Sequence, residues 1–329
     1  MELAPGIFKI KVPIPDNPLE HLNCYLIKGK EGWLMIDTGW YTPETFNSLK
    51  KSLDKLGIAL TDIATIVVTH IHPDHFGLVG RIRQISPATK LITHKFEGEL
   101  IESRYIKFHE LRQSMEFLLR RHGVPSSRIS ELKSSSMPAM EFVSVTFPDS
   151  TLYGGEIIST GFYDLEVIWT PGHSIGHICL YEPKNRFLFS GDHVLPKITP
   201  SVAFHIQSGD DPLGDYLNAL HKIEKLPTKK ILPAHEEIFT DIHRRVAEIV
   251  KHHENRNEEI RKVIFNGYHS AWEISSHITW NVRDSKWTSL SPLTKRLAVM
   301  ETVAHLEYMN WRGRVKRILR KNLVEYKLL

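Results

Sequence analysis

"VVTHIHPDHFGLVG", residues Val67 to Gly80, places three histidines and an aspartate within six residues at the end of an apolar run. The apolar run at 64–69 predicts a short buried strand, and the residues from His75 onward predict a helix. Junctions between a strand and a helix are where α/β folds hold their chemistry. The stretch therefore predicts an α/β fold with a polar site at this junction.

The spacing within the stretch indicates a metal site. Residues two apart in an extended chain point to the same side, so His70 and His72 are expected to project together. Pro73 ends the hydrogen bonding of the strand, Asp74 is expected to cap the next helix, and His75 lies on its first turn. Neutral imidazoles with a carboxylate suit Zn²⁺ best, with Mn²⁺ and Fe²⁺ as alternatives.

Residues of the same chemical type follow other apolar segments. "WTPGHSIGH", "LFSGDHV" and "ILPAHEE" supply His173, Asp192 and His235, and "LMIDTGW" supplies Asp37. A single histidine is most often a surface residue or a satisfied core residue. Repeated placement of ligand-type residues at strand ends is harder to explain by packing, so we predict that these side chains join the first cluster.

Taken in chain order, these motifs resemble those of the metallo-β-lactamase superfamily of hydrolases over residues 1 to about 250. The resemblance implies an αββα sandwich with two divalent metal ions in the cleft where the strand ends meet. Asp37 resembles a residue that supports the site without binding metal, and His193 is either a hydrogen-bonding neighbour of the site or a solvent-facing residue. The resemblance implies that the first ion is bound by His70, His72 and His173. It implies that the second ion is bound by Asp74, His75 and His235, and that Asp192 bridges the two ions.

The bridging residue distinguishes branches of this superfamily. The antibiotic-degrading members have a cysteine or a serine where this chain has Asp192, so the chain resembles the glyoxalase II, lactonase and ribonuclease branches instead. Two neighbouring cations would lower the pKa of a shared water, and the resulting hydroxide would attack an ester, thioester or lactone carbonyl of a small molecule. Asp74 is the predicted catalytic residue, which orients this hydroxide and carries its proton to the leaving group.

Residues 1–265 are predicted to form the α/β domain, with a helical lid insertion at about 97–147. Within the insertion, apolar positions at three and four spacing predict one long helix over 99–122. A polar stretch rich in serine and methionine follows it. The apolar residues of the insertion form either a soft wall over the metal ions or the underside of a lid packed on its own domain; they are Met115, Phe117, Met137, Met140 and Phe142.

Residues 266–329 are predicted to form a small winged-helix-like domain. Ser291 as N-cap with Pro292 after it marks the start of its longest helix. The segment 305–317 resembles the winged-helix extension of one subset of these hydrolases. The segment 282–329 has eleven Lys or Arg against four Asp or Glu, so the basic character of the chain lies at this end.

This basic segment supports an alternative function, an endoribonuclease that cleaves single-stranded RNA. A basic track with aromatic platforms binds such strands, and Tyr308 and Trp311 are candidate platforms. A solvated face or a homodimer contact explains the same charges equally well. A third hypothesis is a non-catalytic, metal-binding regulator that binds DNA through the winged helix. The candidate nucleic-acid contacts are Arg312, Arg314, Lys316, Arg317, Arg320 and Lys321.

Composition excludes several classes of protein. Of the 329 residues, 41% are apolar and 24% are charged, which is ordinary for a globular protein and argues against disorder. The chain has no apolar stretch near the roughly 18–20 residues of a membrane span, and its N-terminus lacks the features of a signal peptide. With only Cys24 and Cys179 a disulfide scaffold is excluded, and we expect a cytoplasmic enzyme of a small-molecule substrate that does not bind membranes.

Overall fold

In the computed structural model, two β-sheets pack face to face with helices on both outer faces, and a β-hairpin follows near the C-terminus. The structure describes residues 1–135, 137–280 and 286–329, without the side chains of residues 137–139, so the predicted wall residue Met137 lies outside the described side chains. The strands are β1 Glu2–Ala4, β2 Ile7–Pro13, β3 His21–Lys28, β4 Trp33–Ile36, β5 Ile63–Val68, β6 Lys90–His94, β7 Ser150–Leu152, β8 Ile157–Ser159, β9 Asp164–Trp169, β10 Ile178–Glu182, β11 Phe187–Gly191, β12 Lys230–Pro233, β13 Val315–Arg320 and β14 Leu323–Leu328.

The first sheet has the order β1 to β7, with antiparallel pairing from β1 to β4 and parallel pairing from β4 to β7. The second sheet has the order β12-β11-β10-β9-β8 and is antiparallel except for the β11–β12 pair. The helices are α1 Pro43–Asp54, α2 Pro73–Phe76, α3 Val79–Ile85, α4 Lys95–Ile101, α5 Phe108–Arg121, α6 Ser126–Ser134, α7 Pro212–Glu224, α8 Ile242–Phe265, α9 Ala271–Ser276 and α10 Pro292–Trp311.

Separate apolar clusters define the layers. Side chains of both sheets, such as Ile36 and Phe189, pack together between the sheets. The outer face of the first sheet packs on α1 and α3, and that of the second packs on α7 and the first half of α8, where Val246 is buried. Burial of both faces of each sheet is the main source of stability for such a sandwich. The predicted αββα architecture is confirmed.

The insertion does not form the single helix predicted for residues 99–122. α4 and α5 are separated by one π-helical turn at Glu102–Ile106. This turn buries Tyr105, whose hydroxyl donates a hydrogen bond to the carbonyl oxygen of Ile71 beside the predicted metal site. The helix is broken where Tyr105 makes this tertiary contact, which the spacing of apolar residues along the chain does not predict. Turns of the π type are frequent at functional sites.

The insertion packs on the C-terminal segment. Leu119 of α5 and Leu132 of α6 share one apolar cluster with Val303 of α10, Tyr326 of β14 and the second half of α8. A small C-terminal unit that ends in the β13–β14 hairpin is therefore present, while the domain boundary at residue 265 and the winged-helix likeness stay predictions. Among the described residues, no helix has the length and hydropathy needed to cross a membrane.

Ser291 caps α10 as predicted. Its hydroxyl oxygen accepts a hydrogen bond from the backbone N–H of Thr294 at 3.1 Å, and Pro292 takes the first helical position. Both features match the requirements of a helix N-terminus, where a side chain satisfies one of the unpaired N–H groups.

Candidate metal centre

The end of β5 delivers the first ligand-type side chains. After Val68 the chain leaves the sheet, and α2 begins at Pro73 with the extended residue His72 as its N-cap. The predicted cap by Asp74 is wrong: His72 holds the cap position without a side-chain cap, and the Asp74 carboxylate lies beside His235 instead. A carboxylate not engaged in capping is available to a cation.

His70, His72 and His173 form the first group. Nε2 of His70 lies 2.8 Å from Nδ1 of His72, and Nε2 of His173 lies 3.2 Å from the same atom. Burial, together with the neighbouring imidazoles, lowers the pKa values of His70 and His72 well below 6.5. Both rings are therefore neutral at pH 7, which is the form that binds metal ions.

Asp74, His75 and His235 form the second group. Nε2 of His235 is 3.2 Å from Oδ2 of Asp74, and Nε2 of His75 is 3.7 Å from the same oxygen. Burial alone would lower the pKa of His235, but the Asp192 and Asp74 carboxylates outweigh it and raise that pKa to about 8. Without a cation, the two carboxylates hold protons on the imidazoles that a metal ion would replace.

Asp192 lies between the two groups. Its Oδ1 is 3.4 Å from Nε2 of His75 and 3.3 Å from Nε2 of His235, and its Oδ2 is 3.6 Å from Nε2 of His173. One carboxylate thus presents one oxygen to each group. This is the position expected of the predicted bridge.

The donor atoms fit divalent cations. Within each of three overlapping sets, the candidate ligand atoms lie within 4.8 Å of one another: His70, His72 and His173; His70, His75 and Asp192; and Asp74, His75 and His235. Nε2 of His75, Nε2 of His235 and Oδ1 of Asp192 are also buried without a hydrogen-bond partner among the described residues. Buried polar atoms without partners are rare and costly, so these convergent nitrogen and oxygen atoms could hold a metal ion.

The far nitrogens of these rings are held by fixed acceptors. Nδ1 of His75 donates to Oδ2 of Asp37 at 2.8 Å, Nδ1 of His173 to the carbonyl oxygen of Ser201 at 2.8 Å, and Nδ1 of His235 to that of His21 at 3.0 Å. Each bond fixes a proton on Nδ1, so that Nε2, once it is deprotonated, offers its lone pair to a cation at the centre. Asp37 thus lies where the sequence predicts a supporting residue.

Glu97 is a supporting residue that sequence analysis missed. Its buried carboxylate accepts hydrogen bonds from the backbone N–H of Ile71 at 2.8 Å and of Gly176 at 2.9 Å, and from the hydroxyl of Ser174. Glu97 thus joins the loop that carries His70 and His72 to the loop that carries His173. Its position in the first turn of α4 resembles a surface residue, so no local signal identifies it.

His177 supports Asp192 rather than binding metal. Its Nε2 accepts a hydrogen bond from the backbone N–H of Asp192 at 3.1 Å, and its Nδ1 pairs with the hydroxyl of Thr170 at 2.8 Å. Gly191 takes a left-handed φ of 50°, and a Cβ there would lie 2.5 Å from Nε2 of His177. The close approach requires glycine. The predicted neighbour His193 is buried, with its ring against those of His177 and Tyr216.

The structure places the predicted nucleic-acid contacts on the exposed hairpin and the turn before it. Arg312 pairs with Asp211 at 2.8 Å and covers the ring of Tyr308, 3.7 Å from its centroid. Tyr308 is therefore not an open stacking platform. The two other ion pairs join Arg317 to Glu307 and Arg320 to Glu325, each at 3.4 Å, while Arg314, Lys316 and Lys321 are exposed.

A cavity of about 230 Å³ lies beside the metal centre, against His72 and Pro73. One face of α5, the loop at 203–207 and one face of α10 form its walls. The apolar insertion is therefore a wall of this cavity at Met115 and Met140, whereas Phe117 is exposed and Phe142 stacks on Trp40 elsewhere. None of the six hairpin and turn residues above is among the described residues that line it.

Comparison with known proteins agrees with this geometry. The sequence profile of the metallo-beta-lactamase superfamily matches residues 18–235. The chain is 24% identical to the probable metallo-hydrolase YqjP of Bacillus subtilis, over 98% of each chain, and 26% identical to acyl-coenzyme A thioesterase MBLAC2 of Homo sapiens, over 72% of this chain and 80% of that one. A metallo-beta-lactamase family protein from Thermus thermophilus superposes with a TM-score of 0.83 at 28% identity, with 100% of both chains covered.

The profile spans about two thirds of the sequence, and the residues of both ligand groups and Asp192 lie within it. The sandwich fold and the convergence of these residues at the strand ends agree with that match. The chain belongs to the metallo-β-lactamase superfamily, whose members are metal-dependent.

Proposed function

We propose that the protein is a dinuclear metal-dependent hydrolase of a small-molecule ester, thioester or lactone. The observation that carries this proposal is the position of Asp192, which presents one oxygen to each histidine group beside a largely apolar cavity. The carboxylate at this position also supports the glyoxalase II, lactonase and ribonuclease type of site over the antibiotic-degrading type. Zinc as the metal, a homodimer and a cytoplasmic location stay predictions.

The site contains the groups that hydrolysis requires. Divalent ions, when bound, polarise the scissile carbonyl and supply a hydroxide from water at neutral pH. Asp74 faces His235 and His75 through Oδ2, and its pKa is held at about 2: burial would raise it, but the neighbouring His75 and His235 outweigh burial. The ionised Asp74 carboxylate can therefore accept a hydrogen bond from the attacking water and orient it, and we expect it to relay the proton to the leaving group. The water oxygen is retained in the acid product.

The cavity favours a carbonyl substrate over RNA. Its walls are mostly apolar side chains, and it is small, which suits an acyl group. A single-stranded RNA needs an extended basic track with open aromatic platforms. Of the two predicted platforms, Trp311 is exposed but Tyr308 is covered by Arg312, and half of the predicted contacts are already in ion pairs. One relative is named a thioesterase, which supports the carbonyl class. Single-stranded RNA stays the alternative.

The test begins with metal analysis of the purified protein. Turnover is then compared for an aryl ester, a lactone, a glutathione thioester and a single-stranded RNA oligomer at matched concentrations with excess metal. We expect two metal ions per chain and turnover of at least one carbonyl substrate with inert RNA. Cleavage of RNA alone would reverse the proposal in favour of the ribonuclease.

A further inference from the structure

The cavity beside the metal centre has a defined chemical character. Phe108, Leu111 and Met115, at three and four spacing on one face of α5, form one wall. Leu297 and Met300 on α10 form the opposite wall. Such a pair of walls binds an apolar group by removing it from water. The cavity volume of about 230 Å³ accommodates an acyl chain of several carbon atoms.

The end of the cavity nearest the metal centre carries a guanidinium group. Arg104, on the π-turn before α5, donates from Nη2 to the side-chain oxygen of Gln207 at 3.3 Å. Its Nη1 is shielded from solvent and has no hydrogen-bond partner among the described residues. Arg104 is close enough to His72 to contribute to lowering the pKa of that ring, after burial and His173. A shielded guanidinium with an unused donor favours an anionic ligand.

The other charged side chains that line the cavity are also cationic. Arg112 and Arg296 also line the cavity, and none of the described lining residues is acidic. Lys133 lines it too, but its charge is balanced by an ion pair with Glu116. A cavity with apolar walls and cationic side chains is complementary to an amphiphilic anion, and it would reject a cationic group at the same place.

We propose that the substrate is an ester or thioester with an apolar acyl group of medium length and an anionic group, the acyl group lying between α5 and α10 and the anion on Nη1 of Arg104. This assignment of substrate class rests on the proposed hydrolase function. The anion is a carboxylate or a phosphate oxygen, and Arg104 accommodates both because its planar donors match either group. The insertion and the C-terminal helix thus select the substrate together.

Calorimetric binding to the full-length, metal-loaded protein tests the anion site. The ligands are octanoate, octyl phosphate and the neutral octanol. We expect one anion to bind at least about tenfold more tightly than octanol, and the preferred anion identifies the source of the charge. Arg104→Gln should remove this difference, whereas Arg128→Gln, an exposed arginine of the same insertion, should retain it. Equal losses in the two variants, or equal affinity for octanol and both anions, would overturn the assignment.

Cavity-filling variants test the acyl site. For aryl esters we expect kcat/KM to rise about fourfold per methylene until the acyl chain fills the cavity, and then to level off. Met115→Trp and Leu297→Trp, on opposite walls, should lower affinity for octanol and shorten the preferred chain, while the control Phe117→Trp changes an exposed position on α5. Turnover without any chain-length preference would refute the acyl site and leave the hydrolase intact. Absence of any ester turnover would instead refute the hydrolase, with octanol binding still reporting on the cavity.

Discussion

Nδ1 of His75 donates a 2.8 Å hydrogen bond to Oδ2 of Asp37, at the end of the neighbouring strand β4. The same carboxylate accepts the backbone N–H and the hydroxyl of Thr69. Asp37 therefore orients the candidate ligand His75, and it also holds Thr69, the residue directly before the candidate ligand His70. Its backbone is left-handed, with φ of 57°, and three hydrogen bonds to one carboxylate offset the strain of that conformation.

The first prediction concerns this support. Asp37→Ala should weaken metal binding by about 10–100-fold, because His75 loses the acceptor that fixes its tautomer and orientation. The measurement is a titration of bound metal against a competing chelator. Asp54→Ala, an exposed aspartate on α1, is the control and should bind metal like the wild type. Equal affinity in both variants would show that Asp37 has no part in the site.

The second prediction separates the two ligand groups. His72→Ala should abolish turnover and lower the amount of bound metal with the fold intact. It removes the imidazole of the first group that lies next to both His70 and His173. Asp74→Ala should lose one metal ion and most of the rate. Metal analysis, circular dichroism and turnover together check this, with the exposed His221→Ala as control. Wild-type activity in either site variant would contradict the assignment of the centre.

The third prediction concerns the missed residue Glu97. Glu97→Ala leaves buried N–H groups of Ile71 and Gly176 without an acceptor, which should cost about 3 kcal/mol or more of stability. The two loops that it joins carry the first ligand group, so metal affinity should fall as well. Urea unfolding of the metal-free protein measures the first effect. Glu99→Ala, partly exposed on the same helix, should change stability little.

The fourth prediction concerns acid stability. Burial, followed by Arg317 and Arg121, lowers the pKa of His122 to about 3, whereas an unfolded histidine has a pKa of about 6.5. Between these values the unfolded chain binds one more proton than the folded chain. As the pH decreases from about 6.5 to about 3, His122 therefore lowers the free energy of unfolding by about 1.4 kcal/mol per pH unit. Above about pH 6.5 the ring is neutral in both states, and His122 costs no stability.

His122→Phe should remove that slope, since the ring stacked on Tyr326 is replaced by one that does not titrate. Urea unfolding at several pH values between 7 and 4 measures the change. The exposed His221→Phe should keep the wild-type slope. A variant at 122 with an unaltered slope would mean that the imidazole gains its proton in the folded state.

The fifth prediction concerns the basic hairpin. The combined variant Arg314→Gln, Lys316→Gln and Lys321→Gln removes three exposed cations without breaking the ion pairs of their neighbours. Ester turnover should stay within about twofold, because surface changes of this kind are nearly neutral. Retention of RNA on a filter, measured over a salt series, provides the other readout. Tight, salt-sensitive RNA binding that this variant loses would favour the ribonuclease.

Local spacing was sufficient for much of the site. His70, His72 and His75 follow directly from two-residue alternation and one helical turn, and Asp192 and His235 follow from their positions at strand ends. Such signals depend only on neighbours along the chain. The capped start of α10 at Ser291 is of the same kind.

Sequence alone determined the α/β fold and the order of the metal-centre residues, because strand ends and ligand spacing are local properties of the chain. Only the tertiary structure decided that Glu97 joins two loops and that α5 and α10 line one cavity. It also buried His253 against His305. These relations join residues tens to hundreds of positions apart, and the packing of whole elements brings them together.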